Sequence, residues 1–486
     1  MKQILLTIAI LILYASTSCA QKKGVNEIDQ RINNYLSELE KIGFDGSVLV
    51  ELNGEKIISK GYGYSNKESK LKNTPATIFD IGSITKQFTA AAIVKLEMQG
   101  KLSTDDEISK FITNVPIDKE KITIHDLLRH QSGLISNVGK DYEKIDKEEF
   151  LNKVLSSDLR FKVGSYFSYS NIGYSLLAMI IEKVSGETYE NYLFENLLKP
   201  AGMLTTGYTR PAFDTIHIAV GYYRDNKIWG KPTEKEWDKM APYWHLVGNG
   251  GILSTTEDLY KWHKALMSDD NLSKEAKQKL YHPKLRAGET KASYYAYGWD
   301  VSETNRGTTR FWHNGGNNIV YADFLRYIDE GTTMIMLSNK SHPNFDELNQ
   351  EISKLIFDPK YLPVIPVADN ETNRNFTNHM IKTIQEFGLE EARKEYQKKD
   401  DNQNLLEFKM RGEGLNHLYG GKPEIAMQIF KMNVFAHPTI AKALQSLGEG
   451  YMETGNNELA LIYFKKSLNI NSNNPFAKNM IKKLEE

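Results

Sequence analysis

Ser83 and Lys86 stand three residues apart in Phe79-Asp-Ile-Gly-Ser-Ile-Thr-Lys86. That spacing brings an amine to a hydroxyl when a helix opens at the serine. A serine hydroxyl is a poor nucleophile at neutral pH and needs a base beside it, and a lysine serves only when burial or a neighbouring cation lowers its pKa. The following residues supply the burial: Phe88, Ala90, Ala91, Ala92, Ile93 and Leu96 describe a helix whose first turn is desolvated. With Gly82 closing the turn before it, the pair reads as an activated nucleophile.

Spacing alone is weak support, because Ser69-x-x-Lys72 and Tyr64-Ser65-Asn66 reproduce two short motifs inside a polar loop over 62–76. Context must decide. Tyr169-Ser170-Asn171 presents a phenol, a hydroxyl and an amide just before an apolar helix with a cap-rich start. In isolation such a tripeptide is a turn with a packed tyrosine. His313-Asn314-Gly315-Gly316 lies among strand-like segments, with glycines where a ligand can meet backbone N–H groups. A lone strand histidine is ordinarily packed or hydrogen-bonded. His125 and His130 stand five apart without the glutamate of a zinc-protease helix, so they read as packing or capping residues and no metal is expected.

These groups need a scaffold. Residues 24–42 carry Ile28, Ile32, Tyr35, Leu36 and Leu39 on one stripe, an amphipathic helix covering a sheet. Gly46–Glu51 and Lys56–Gly61 flank Asn53-Gly54 and predict a hairpin. Ile122–Gly133 predicts a short helix opened by a threonine cap, and 140–160 a charged helical region. Gly248–Trp262 predicts a capped helix preceded by glycines that can line a cleft. Strands are expected at 319–325 and 332–338.

The chain has 486 residues and a formal net charge of −1. The length suits two or three domains, and the charge balance lacks the basic footprint of a nucleic-acid binder. Residues 1–20 read as an export signal, with Lys2, an apolar core over Ile4–Tyr14, then small residues. Cleavage after Ala20 competes with lipidation at Cys19, the single cysteine. Cleavage is favoured because Ser16-Thr17-Ser18 lacks the leucine of a lipoprotein box. Either ending places the protein outside the cytoplasm, periplasmic or secreted, and cleavage leaves no thiol for a disulfide or nucleophile.

Taken together, Ser83-x-x-Lys86, Tyr169-Ser170-Asn171 and His313-Asn314-Gly315, supported by Leu127–Gly133 and Gly250–Thr255, resemble the serine beta-lactamase and penicillin-binding-protein superfamily in its class C branch. The resemblance covers roughly residues 30–358. It implies an α/β (α+β) fold, an antiparallel sheet flanked by helices beside a helical subdomain, with the site in the cleft between them. It implies that Ser83 is acylated, that Lys86 takes its proton, and that Tyr169 is the acid/base partner. Asn171 holds Lys86 and the substrate, the N–H groups of Ser83 and Gly316 form the oxyanion hole, and His313, Asn314 and Gly315 bind substrate. His313 stands where beta-lactamases commonly carry lysine, which points toward an ester or peptide amide, D-amino-acid-containing or cell-wall-derived substrates included, ahead of beta-lactams. No cofactor is implied. The rival reading is a catalytically idle ligand-binding or adaptor protein on the same fold.

The expected domains are the signal over 1–20, the hydrolase over 24–358, a proline-punctuated linker over 359–370 and an all-α region over 371–486. In the last, Gly421, Ala426 and Phe430 recur at Gly455, Ala460 and Phe464, 34 residues on. Gly412-Glu-Gly414 recurs at Gly448-Glu-Gly450 two residues out of step, which predicts a longer turn in the first unit. The pattern resembles tetratricopeptide repeats, and a peptide or protein partner on their concave surface is the expectation, the alternative being an array that only shields or stabilises the hydrolase.

Overall fold

The computed structural model describes residues 27–235, 242–282, 293–345, 348–471 and 474–485. The expected signal, Cys19 included, lies outside them. The chain divides into two compact units, the second running over Ile365–Glu486.

The first unit is built on a seven-stranded sheet. Its strands are β1 (Gly46–Leu52), β2 (Glu55–Tyr62), β3 (Ser293–Tyr295), β4 (Asp300–Glu303), β5 (Thr309–Gly316), β6 (Tyr321–Tyr327) and β7 (Thr332–Ser338), in the order β2-β1-β7-β6-β5-β4-β3. The β1–β2 hairpin turns at Asn53 and Gly54, both at positive φ, the geometry that Asn-Gly favours. The ladder β1–β7–β6 is antiparallel, pairing Gly46 with Ser338 and Ser338 with Tyr321.

Strand alternation sends successive side chains to opposite faces. Val48, Val50, Leu325, Met334 and Met336 pack with Ile32, Leu36 and Leu39 of α1 (27–41) and with Ile352 and Leu355 near the end of the unit. Leu49, Phe324, Ile335 and Leu337 face the larger core. At its centre is α2 (Thr85–Met98), buried from Thr85 to Val94. A helix buried on every side belongs to the middle of a domain. It packs with α3 (Ile124–Leu128), α4 (Lys147–Ser156), α5 (Asn171–Ser185) and α6 (Thr256–Met267), all contributing to the same core.

Three expectations need correction. The loop over 62–76 contains a small hairpin, Tyr64–Asn66 against Leu71–Lys72. The helix expected to run to Gly133 ends at Leu128, and His130 turns the chain at φ +58. The charged region expected over 140–160 is helical only in α4, because Asp146 caps it by accepting from Glu149 N and no periodic apolar stripe precedes it.

The second unit is helical throughout its ordered elements: α7 (Glu371–Phe387), α8 (Leu389–Gln397), α9 (Glu407–Tyr419), α10 (Pro423–Ala436), α11 (Ala441–Glu453), α12 (Asn457–Ile470) and α13 (Pro475–Glu485). The α9–α10 and α11–α12 pairs repeat with every boundary displaced by 34 residues. The out-of-step glycines resolve accordingly. A Cβ on Gly414 would lie 2.3 Å from Phe430, and one on Gly448 would lie 3.0 Å from Phe464. Gly414 and Gly448 are thus the equivalent positions, and the first pair has no longer turn.

Candidate active site

Chain pairing at the start of α2 positions Ser83. Phe79–Asp80 pairs with Leu253–Ser254, and Ile81 N donates to Ile252 O at 2.9 Å. Asp80 Oδ1 accepts from Gly82 N at 2.8 Å. Gly82 sits at φ +50 and a single 3₁₀ turn carries Ser83 into α2, a backbone path that favours glycine. Burial raises the Asp80 pKa to about 6, opposed by the Gly82 bond.

Lys86 is fully buried, and its Nζ lies 3.1 Å from Ser83 Oγ, 2.8 Å from Asn171 Oδ1 and 2.7 Å from the Asn249 carbonyl oxygen. Desolvation holds its pKa well below the lysine range, with the Asp141 charge acting the other way. A neutral amine has two N–H donors and one lone pair. The two carbonyl oxygens can only accept, so both donors are used there and the lone pair is left for Ser83.

Asn171 opens α5, with Ser170 as its cap, and Asn171 Nδ2 donates to Asn137 Oδ1 at 2.9 Å, which fixes the amide's orientation. Tyr169 precedes them, 4.7 Å from Lys86 Nζ to the ring centre. Burial raises its pKa above that of a free phenol, opposed by a hydrogen bond with Ser83, so Tyr169 is a neutral phenol at neutral pH.

The β5 strand closes the site. A Cβ on Gly315 would lie 2.1 Å from Ile81 O and 2.7 Å from Ser83 N, and one on Gly82 would lie 2.5 Å from Gly316 N. Only glycines allow two backbones to approach so closely. Alternation then decides the neighbours. Gly315 faces Ser83, so Asn314 leaves from the other face and is exposed. Its backbone carbonyl accepts from His313 Nδ1 at 2.5 Å.

The expectation that His313 binds substrate is corrected. It is 2% exposed, and its Nε2 lies 2.9 Å from Tyr295 OH. Since the Asn314 carbonyl can only accept, Nδ1 carries a proton, and the phenol satisfies Nε2. Both nitrogens are bound internally, which leaves neither for a substrate carboxylate.

Asp80, Asn137, Asn249 and Tyr295 were not singled out from sequence. Asn249 was foreshadowed by its glycine neighbours, whereas Asn137 carried no local signal. His130, expected to pack, accepts from Ser170 N through Nδ1 at 3.1 Å and lies 4.2 Å from the Tyr169 ring centre. Burial and the nearby Lys86 and His313 push its pKa well down. Among the described residues no three of His, Cys, Asp and Glu converge as metal ligands. The decoy lysine of Ser69-x-x-Lys72 is exposed.

A family model described as Beta-lactamase matches residues 33–356. The chain belongs to that family. Protein flp of Staphylococcus aureus (strain NCTC 8325 / PS 47) is 29% identical over 365 residues, spanning 72% of this chain and 71% of that one. Among solved structures, the octameric penicillin-binding protein homologue from Pyrococcus abyssi superposes with a TM-score of 0.58 at 28% identity, covering 73% of this chain and 81% of that one. The penicillin binding protein from Bacillus halodurans gives 0.57 at 25%, covering 65% and 98%. The matched beta-lactamase region contains Ser83, Lys86, Tyr169 and Asn171, and it ends before the helical unit.

Proposed function

We propose that the protein is a serine hydrolase forming an acyl-enzyme with an ester or a peptide amide, D-amino-acid-containing substrates included. The arrangement at Lys86 carries this reading, since two carbonyl acceptors leave its lone pair for the Ser83 proton. Ser83 Oγ attacks the carbonyl carbon as Lys86 takes the hydroxyl proton. The oxyanion is met by the N–H groups of Ser83 and Gly316, held together by the glycine contact of β5. The Tyr169 phenol, hydrogen-bonded with Ser83, protonates the leaving group and is reprotonated from Lys86. Deacylation runs the same relay with water in place of the leaving group.

The occupied His313 argues against beta-lactams as good substrates, because a fixed cation for their carboxylate is missing at that position. Export, and a peptide or protein partner for the 34-residue helix pairs, belong to the same proposal and rest on the sequence pattern.

Intact-mass measurement after exposure to a nitrophenyl ester, a penicillin and a D-alanyl peptide, with Ser83→Ala in parallel, tests the mechanism. An adduct or turnover that Ser83→Ala abolishes is expected, with ester or peptide ahead of penicillin. Turnover surviving in Ser83→Ala overturns the mechanism, and silence with every compound favours the idle-fold reading.

A further inference from the structure

Hydrogen bonds hang the segment that carries Tyr169 on the stretch over 130–136. Ser168 N donates to His130 O at 2.8 Å, and Asn171 N donates to Ser136 O at 3.0 Å. Ser136 Oγ donates to Tyr169 O at 3.0 Å, and Ser170 N donates to His130 Nδ1 at 3.1 Å. His130 therefore holds the residue before Tyr169 through its backbone and the residue after it through its side chain. Its ring also lies 4.2 Å from the phenol ring, centre to centre. Fixing the amides on both sides of a residue fixes its Cα–Cβ direction, and a ring set against the phenol restricts its rotation, which together decide where the hydroxyl falls.

Holding this position carries two costs. His130 sits at φ +58, a left-handed conformation that residues with a Cβ rarely adopt. A neutral imidazole that accepts at Nδ1 carries its proton on Nε2, and Nε2 is buried with no hydrogen-bond partner among the described residues. The rings of Tyr169, Tyr295, Tyr174 and Phe167 surround it, with centres 4.2–5.8 Å away. An apolar side chain would fill that cage without stranding a donor. What an apolar side chain lacks is an acceptor for Ser170 N. Strain of this kind persists where the surroundings over-determine it, and such outliers cluster at active sites. Burial, with Lys86 and His313 nearby, holds the imidazole pKa well below 6.5, so Nδ1 stays free of a proton that would oppose the Ser170 N–H.

We infer that His130 is a positioning residue for Tyr169, its carbonyl and Nδ1 bracketing the tyrosine and its ring backing the phenol, so that the hydroxyl is aimed at Ser83 and the leaving group. This rests on the acyl-enzyme reading above and adds to it the group that aims the proton donor.

The test compares kcat/KM for phenyl acetate and p-nitrophenyl acetate in the full chain, in His130→Leu and in His130→Asn, each with Tyr169 present and with Tyr169→Phe. Nitrophenolate departs without a proton, whereas phenolate gains from a proton donor, so the two esters separate the Tyr169 proton from general damage. Leucine keeps apolar bulk and lacks the acceptor. Asparagine puts its Oδ1 where Nδ1 stood and tolerates positive φ. His130→Leu should lower kcat/KM for phenyl acetate by about tenfold more than for p-nitrophenyl acetate. His130→Asn should recover most of that difference, and Tyr169→Phe should abolish it. An equal loss with both esters, a selective loss that persists in Tyr169→Phe, or His130→Asn as poor as His130→Leu overturns the inference. Nitrogen-15 NMR of the wild type reads the tautomer without any variant. A neutral imidazole protonated on Nε2 is expected near neutral pH, and a proton on Nδ1 overturns the inference even where His130→Leu fails to fold. Absence of Ser83-dependent turnover of either ester overturns the acyl-enzyme reading and this inference with it, whereas with Ser83-dependent turnover the comparison decides His130 alone.

Discussion

Lys86 shows how a side chain acquires a role from its surroundings. Its amine is buried among acceptors, so the protonated form is disfavoured relative to an exposed lysine. The acid limb of kcat/KM for a neutral ester should therefore lie well below 10.5, the ordinary lysine value, with activity rising as pH climbs through that limb. Lys86→Met should lower kcat by about 10²–10⁴-fold; a limb near the ordinary lysine value would remove Lys86 as the base. Asp80 gives a second residue-scale prediction with a defined sign. Its pKa rises from 3.8 unfolded to about 6 folded, so the folded state holds the proton more tightly. Stability is lost as pH rises from about 4 to 6, and above that window the penalty is complete, up to about 3 kcal/mol. Asp80→Asn should gain on the wild type across that window in urea unfolding at pH 4 and pH 7.5, and a gap independent of pH would show the carboxylate is not strained by burial. His313→Gln should cost about 1–3 kcal/mol of stability by removing the Tyr295–His313 hydrogen bond. It should leave the preference between carboxylate-bearing and neutral esters unchanged, since the imidazole has no free nitrogen to offer.

At the scale of elements, the site is the meeting of the α2 start, the α5 start and the end of β5. Each brings one part: Ser83 with Lys86, Tyr169 with Asn171, and a backbone N–H. The closest of these contacts is backbone to backbone. Gly315→Ala would place a Cβ 2.1 Å from Ile81 O, so β5 must retreat and the Gly316 N–H with it. A loss of about 10²–10³-fold in kcat is expected, the usual effect of losing one oxyanion donor, with the far-ultraviolet circular dichroism unchanged. Wild-type turnover in that variant would place the second donor elsewhere. The hairpin, the helix over 27–41 and the threonine cap of α6 were all legible in the sequence, because Asn-Gly turns, an apolar stripe and capping residues act within a few residues of themselves. The small hairpin over 64–72 and the early end of α3 were not. Pairing and the reversal at His130 depend on partners far along the chain, including Tyr222 beneath Lys67 and Ser170 on the imidazole.

At the scale of the whole molecule, the beta-lactamase-family unit and the helical unit follow different rules of assembly. The first gathers its site from segments more than 200 residues apart, whereas the second stacks neighbours at a fixed interval. One phenylalanine of each helix pair fills the space beside a glycine, Phe430 against Gly414 and Phe464 against Gly448. Phe430→Ala should cost about 3–5 kcal/mol, read as faster hydrogen exchange across α9–α12; exchange unchanged there would mean the glycine pockets are not what holds the repeats together. The sequence by itself singled out Ser83, Lys86, Tyr169 and Asn171 and the 34-residue period, because residue type and short spacing specify them. Tertiary structure decided which face of β5 looks at Ser83, that both His313 nitrogens are spent, and that Asn249 and Asn137 hold Lys86 and Asn171. Those outcomes turn on the direction of a strand and on contacts between distant segments, which local spacing does not encode.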